Sequence, residues 1–207
     1  MTGIKNILFD LGGVLYHIDY GTTIKAFEKL GIKAFHKHFS QQQQSKLFDR
    51  LETGKISDDD FIKEIKVLLP NCTKEEIINA WNALLIGIPQ ENIQLLKDLS
   101  RYYRLFLLSN TNLIHINQIN KLLYKDYNLK GLEPLFDKIY LSHQMGLRKP
   151  NSETFEWVLR DARILAHETL FIEDSIQHIK GANKVGIRTK LWRSNAPFKG
   201  FFLDKAL

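Results

Sequence analysis

The chain has 207 residues, 44% of them hydrophobic, which suits one compact core with room for a small inserted subdomain and leaves no room for two large domains. Its 29 Lys and Arg against 23 Asp and Glu give a formal charge of +6, a balance that attracts small anions. Cations such as Lys25, Lys46, Lys63, Lys97 and Lys121 are scattered rather than clustered with aromatics, so no nucleic-acid partner is expected. The single Cys72 cannot form an internal disulfide, and no apolar run approaches the roughly 20 residues of a membrane span. A cytoplasmic protein with no membrane partner is the expectation.

Along the chain, the apolar run at residues 4–9 predicts a first strand. The segment that follows, residues 18–88, contains no convincing strand and reads as several amphipathic helices. Ala26, Phe27 and Leu30 precede Gly31, Phe61, Ile65, Leu68 and Leu69 form a stripe ending at Pro70, and Ile77, Ile78, Trp81, Leu84 and Leu85 form another. The tract Gln41 to Gln44, flanked by Phe39, Leu47, Phe48 and Leu51, reads as one solvated turn of helix. Helical periodicity returns at 92–102, with Ile93, Leu95, Leu96 and Leu99 apolar, and at 153–164. Between and after these lie four more apolar runs, at 104–109, 138–142, 169–173 and 188–192. They lack polar alternation, as strands covered on both faces do, and strand alternating with helix predicts an α/β fold with a parallel sheet. Phe198, Phe201, Phe202 and Leu203 near the C-terminus are either core contacts or a small interface.

Candidate chemistry sits at the strand ends, where an open parallel sheet places its crevice. Asp10 closes the first run and tips into Leu11-Gly12-Gly13-Val14-Leu15, which makes it a candidate nucleophile. The second strand ends Leu107-Leu108-Ser109-Asn110-Thr111-Asn112, offering a hydroxyl and backbone donors to an anion. Lys149, in Gly146-Leu147-Arg148-Lys149-Pro150, follows the third and could offset charge on a carboxylate and a transferring phosphoryl group. Glu173-Asp174 ends the fourth, and carboxylates delivered side by side with Asp10 could hold a divalent cation. Each has a plainer reading: a turn aspartate, a helix cap, a surface lysine. Their order and common placement at strand ends favour the functional one.

These four segments, with Tyr140-Leu141-Ser142 and Phe171-Ile172-Glu173-Asp174-Ser175 followed by Gly181-Ala182, resemble the haloacid dehalogenase superfamily over nearly the whole chain. The Ser-Asn-Thr-Asn and Gly-Leu-Arg-Lys-Pro stretches look like its helical-cap phosphatase branch, which contains bacterial alpha-D-glucose-1-phosphate phosphatase and the phosphatase domain of soluble epoxide hydrolase. The resemblance implies a Rossmann-like sheet of order 5-4-1-2-3, a hydrolase core of residues 1–17 and 89–207, and an all-helical cap of residues 18–88. It implies a magnesium-dependent phosphatase acting on a small phosphorylated metabolite, in which Asp10 attacks phosphorus and water hydrolyses the aspartyl phosphate. Mg2+ would be held by Asp10, the carbonyl of Gly12, Asp174 and, directly or through water, Glu173. Ser109 and the amide of Asn110 would hold phosphoryl oxygens, and Lys149 would balance charge.

One position departs from the pattern. Many phosphatases of this superfamily carry a second aspartate two residues after the nucleophile, where this chain has Gly12. Loss of a positioned proton donor costs about a hundred-fold to ten-thousand-fold, and less when the leaving group is acidic, so sugar 1-phosphates and acyl phosphates become preferred substrates. His17 or Asp19 could replace the donor, whereas His143 and His178 carry weaker signals. Cap residues Lys25, Arg50 or Lys55 could meet a second anionic group. A metal-free 2-haloacid dehalogenase is the rival enzyme, disfavoured because two carboxylates beside Asp10 repel it unless a cation joins them. A weakly active phosphate-binding or regulatory protein is the rival from another class.

Overall fold

In the computed structural model, residues 2–33, 35 and 46–193 are described. Along the chain run β1 (Asn6–Phe9), the two-residue β2 (His17–Ile18) and helices α1 (Tyr20–Leu30), α2 (Lys46–Glu52), α3 (Asp58–Leu68) and α4 (Lys74–Asn82). Next come β3 (Leu85–Gly87), α5 (Gln90–Leu99), β4 (Arg104–Ser109), α6 (Leu113–Tyr127), β5 (Lys138–Leu141) and the short α7 (Ser142–Met145). The chain continues through α8 (Ser152–Ala162), β6 (Thr169–Glu173), α9 (Ile176–Lys184) and β7 (Arg188–Leu191).

The main sheet is parallel throughout, in the order β5-β4-β1-β6-β7. Counted by its own five strands and read from β7, this is the expected 5-4-1-2-3. Every residue of β1 and β6 is buried, because helices cover both faces of the sheet. On one face Ile7, Phe9, Leu105, Leu107 and Ile172 pack with Leu96 of α5, and on the other Leu8, Phe106, Leu108 and Phe171 pack with Phe155 of α8. β7, at the edge, alternates exposed and half-buried. Phe9 is registered between Leu107 of β4 and Ile172 of β6, so Asp10, Ser109 and Glu173 leave the sheet together at its carboxyl edge.

Helices α1 to α4 build a second apolar cluster around Phe27, Phe48, Phe61, Ile65, Ile77 and Trp81, and Ile114 of α6 joins it. Their starts are written in the sequence. Asp19 caps α1, Ser57 caps α3, and Thr73 with Glu76 forms a reciprocal capping box on α4.

Two expectations about this insert need correction. It is not wholly helical, because Ile18 and Leu85 pair in a small antiparallel ladder of β2 with β3. The chain enters and leaves the insert at neighbouring points, and the Asp19 amide donates to the Leu84 carbonyl at 2.9 Å, so the two crossings form a stem. Leu85, which fits the helical stripe by spacing, lies beyond the end of α4 in that stem. Leu68 likewise fits the α3 stripe by spacing yet is 62% exposed, and Phe61, Ile62, Ile65 and Leu69 carry the buried face. The Gln41 to Gln44 turn and the aromatic group Phe198, Phe201, Phe202 and Leu203 lie outside the described residues. No helix among the described residues is long and apolar enough to cross a membrane.

Candidate active site

A cavity of about 320 Å³ opens over the carboxyl edge of the sheet. Asp10, Gly12, Ser109, Asn110, Lys149, Glu173 and Asp174, all singled out by sequence, line it together. Carboxylate oxygens of Asp10, Glu173 and Asp174 lie within 4.8 Å of one another.

Lys149 is almost fully buried, and its Nζ donates to Asp10 Oδ1 and to Glu173 Oε2, each at 2.7 Å. Burial opposes its charge, but the two carboxylates outweigh burial and hold the ammonium above its ordinary pKa. Asp10 is pushed well above the usual carboxylate range, by burial first and then by Glu173, with Lys149 only partly offsetting them. Glu173 is pushed the other way. Burial works against its charge, yet Lys149 and His178 hold it below the usual range. Both its oxygens are engaged: Oε1 accepts from the Asp174 and Ser175 amides at 3.1 Å, and Oε2 has Lys149 and, at 3.1 Å, His178 Nδ1. Glu173 thus holds Lys149 in place beside Asp10.

The loop that carries Lys149 is held by Asn110. Its side-chain amide donates to the Lys149 carbonyl at 2.9 Å and accepts from the Lys149 amide at 3.0 Å, tying the end of β4 to the lysine. Gly13 has φ +79°, a left-handed value, and a Cβ there would run into the Asp174 carboxylate. The glycine turn after Asp10 thus lets the first and fourth strand ends close on each other.

Gly12 is a different case. A Cβ added to it would lie 2.9 Å from Ile18 Cδ1, so the tip of the Ile18 side chain, on β2, stands in the room beside Asp10 that a second aspartate would take. Neither proposed substitute donor reaches that space. His17 is exposed on β2 and Asp19 is occupied as the α1 cap, its Oδ1 accepting from the Gly21 amide at 2.7 Å; neither is among the residues lining the cavity. His178 does line it, beside Glu173, while His143 sits outside it in α7. Lys25, Arg50 and Lys55 are exposed and do not line it, which agrees with the plainer reading of each as a solvated surface charge.

Several cavity residues escaped the sequence reading. From the insert come Tyr20, Asp49 and Glu52, and from the α6 start comes His115. Arg148 stands in a quoted motif, but only its neighbours in space reveal its two ion pairs, with Asp49 at 2.7 Å and Glu52 at 3.0 Å. Spacing offers one retrospective signal: Asp49 and Glu52 are three apart on α2 and therefore share a face.

Fold and site together define a Rossmann-like α/β protein with its chemistry at the carboxyl edge of the sheet and an inserted helical layer above it. The model of the haloacid dehalogenase-like hydrolases matches residues 4–186, and the chain belongs to that family. It is 33% identical over 187 residues, 90% of each chain, to a D-ribitol-5-phosphate phosphatase of Bacteroides thetaiotaomicron. A solved HAD family enzyme from Bacteroides thetaiotaomicron, an aspartate-to-alanine mutant in complex with magnesium and inorganic phosphate, superposes with a TM-score of 0.91 at 34% identity, covering 96% of this chain and 98% of that one. A HAD-like family hydrolase from Porphyromonas gingivalis superposes with a TM-score of 0.87 at 30% identity over 98% of both chains.

Proposed function

We propose that the chain is a magnesium-dependent phosphatase of a small phosphorylated sugar or polyol, working through an aspartyl phosphate on Asp10. Residues 1–17 and 89–207 form its hydrolase core, and residues 18–88 are the cap. The observation that carries this reading is the union, in one cavity, of Asp10 held by a buried lysine with Glu173 and Asp174 within 4.8 Å. Three carboxylates against one ammonium leave excess negative charge, and hard oxygen donors so gathered fit a divalent cation. Asp10, Asp174 and the Gly12 carbonyl would hold Mg2+, with Glu173 reaching it directly or through water. Bound there, the ion would neutralise charge on the phosphoryl oxygens and on the attacking carboxylate. The same acidic pair counts against a metal-free dehalogenase.

In this reading Lys149 fixes the orientation of Asp10 and faces the charge that develops on the phosphoryl group, while Ser109 and the Asn110 amide receive its oxygens. An Asp10 oxygen forms a bond to phosphorus as the ester oxygen leaves. Water then attacks the aspartyl phosphate and restores the carboxylate. With no carboxylic acid at position 12, acidic leaving groups such as those of sugar 1-phosphates and acyl phosphates are the least penalised. The D-ribitol-5-phosphate phosphatase of Bacteroides thetaiotaomicron adds a pentitol phosphate to the same panel. The test is phosphate release from sugar 1-phosphates, pentitol 5-phosphates and acetyl phosphate, with and without Mg2+, by wild type and Asp10→Asn. Metal-dependent release that disappears in the variant supports the reading; release that survives chelation sinks it.

A further inference from the structure

The cavity has a wall that the phosphoryl chemistry leaves unused. Asp49 and Glu52 project into it from one face of α2, and Arg148, immediately before Lys149, meets both. Its Nη1 donates to Asp49 Oδ1, and its Nη2 lies against Glu52 Oε2, whose side chain is only 9% exposed. Arg148 Nε is buried and has no acceptor among the described residues. Among the described lining residues, Asp49 and Glu52 share this one guanidinium, so the described part of the wall carries net negative charge. Lys149, the other Lys or Arg among the described lining residues, already serves Asp10 and Glu173.

Such a wall repels a leaving group bearing a second phosphate or a carboxylate. It suits hydroxyls, because each O–H can donate to a carboxylate while its oxygen accepts from a guanidinium N–H. The amides of Asn151 and Gln177 line the same space, and Leu84 and Leu85 offer apolar surface to C–H groups. We propose that Asp49 and Glu52, held in place by Arg148, are the specificity-determining pair of this enzyme, selecting an uncharged polyhydroxylated leaving group and excluding one with a second negative charge. The proposal rests on the phosphatase reading above and adds to it the chemistry of the group that departs.

The experiment compares kcat/KM with Mg2+ for a pentitol 5-phosphate, the corresponding 1,5-bisphosphate and acetyl phosphate, which has no hydroxyl chain. Wild type should prefer the monophosphate to the bisphosphate by about a hundred-fold or more. In Asp49→Asn and Glu52→Gln, melting like wild type, the ratio of kcat/KM for pentitol phosphate to that for acetyl phosphate should fall about ten-fold or more, mainly through KM, and discrimination against the bisphosphate should shrink. A ratio that stays put in both variants overturns the proposal, as does wild type accepting the bisphosphate equally well. If the variants do not fold, the wild-type comparison decides alone. Failure of wild type to hydrolyse even acetyl phosphate would instead sink the phosphatase reading beneath it.

Discussion

Lowering the pH should loosen the contact between α4 and α6 at His115. The imidazole is buried at the start of α6, stacked on Trp81 of α4 with ring centroids 4.8 Å apart, and both its nitrogens are engaged. Asn112 Oδ1 accepts from the His115 amide at 3.0 Å and from Trp81 Nε1 at 3.3 Å, so the Asn112 NH2 faces His115 Nδ1, at 3.1 Å. Nδ1 must therefore accept, and Nε2 carries the proton donated to the Trp81 carbonyl at 3.1 Å. A second proton has no acceptor, and burial drives the pKa from its ordinary 6.5 down to about 4. Between those values the unfolded chain binds the proton and the folded chain does not. The penalty is thus absent above pH 6.5, grows as pH falls and is complete near pH 4. At about 1.4 kcal/mol per pH unit, the move from pH 7 to pH 5 removes about 2 kcal/mol through this group. Urea unfolding followed by tryptophan fluorescence at pH 7, 6 and 5, on wild type and His115→Gln, isolates the contribution because other titrating groups are common to both. Wild type should lose about 2 kcal/mol more than the variant across that range. Parallel losses would refute the tautomer and burial argument.

Asp10→Asn should lower turnover by roughly ten-thousand-fold or more without unfolding the chain, checked by phosphate release and circular dichroism; residual activity within ten-fold of wild type would place the nucleophile elsewhere. Lys149→Met leaves Asp10 and Glu173 buried without their cation, at a cost of roughly 3–5 kcal/mol, and should lower the melting temperature by about ten degrees in metal-free buffer. An unchanged melting temperature would mean that water or protonation relieves the pair. Gly12→Asp should fail to raise activity on alkyl phosphates because Ile18 Cδ1 occupies the added side chain's room, while Gly12→Asp with Ile18→Ala should do better than Gly12→Asp alone. Equal activity of the two variants would show that Ile18 yields freely.

The core was legible because its signals are local. The apolar runs map onto β1, β4, β5, β6 and β7, and only Ile4 and Lys5 precede the strand that the first run predicts. Strand-end position also brought Asp10, Ser109, Lys149 and Asp174 into one cavity, since parallel order makes neighbours of residues far apart in sequence. What stayed hidden depends on contacts between segments that no periodicity reports. The β2–β3 stem is too short to register as strand, and Leu85 looked helical until its partner Ile18 was known. Arg148 resembles any loop arginine until α2 is placed beside it. Asn110 was expected to offer only its backbone, yet its side chain braces the lysine loop. Asp19 can be read from sequence either as a proton donor or as the cap of the first inserted helix, and the structure shows it in the capping role.

The glycine at position 12 and the β2–β3 stem meet through the Ile18 side chain. Ile18 fills the space beside Gly12 because β2 must run there to pair with β3, and Leu85, its partner in that ladder, lines the cavity with it. A chain that kept an acid at position 12 would have to turn the Ile18 side chain aside. In the proposed mechanism, stabilisation must then come from the metal, from Lys149 and from holding the leaving group in line for displacement. The last of these depends on the wall built by Asp49, Glu52 and Arg148. Binding energy gained there, at a distance from phosphorus, is what aligns a poor leaving group. Shortening the hydroxylated chain of an alkyl phosphate should therefore lower kcat and not only raise KM, whereas an enzyme with its own proton donor could tolerate the same truncation as a loss of affinity alone.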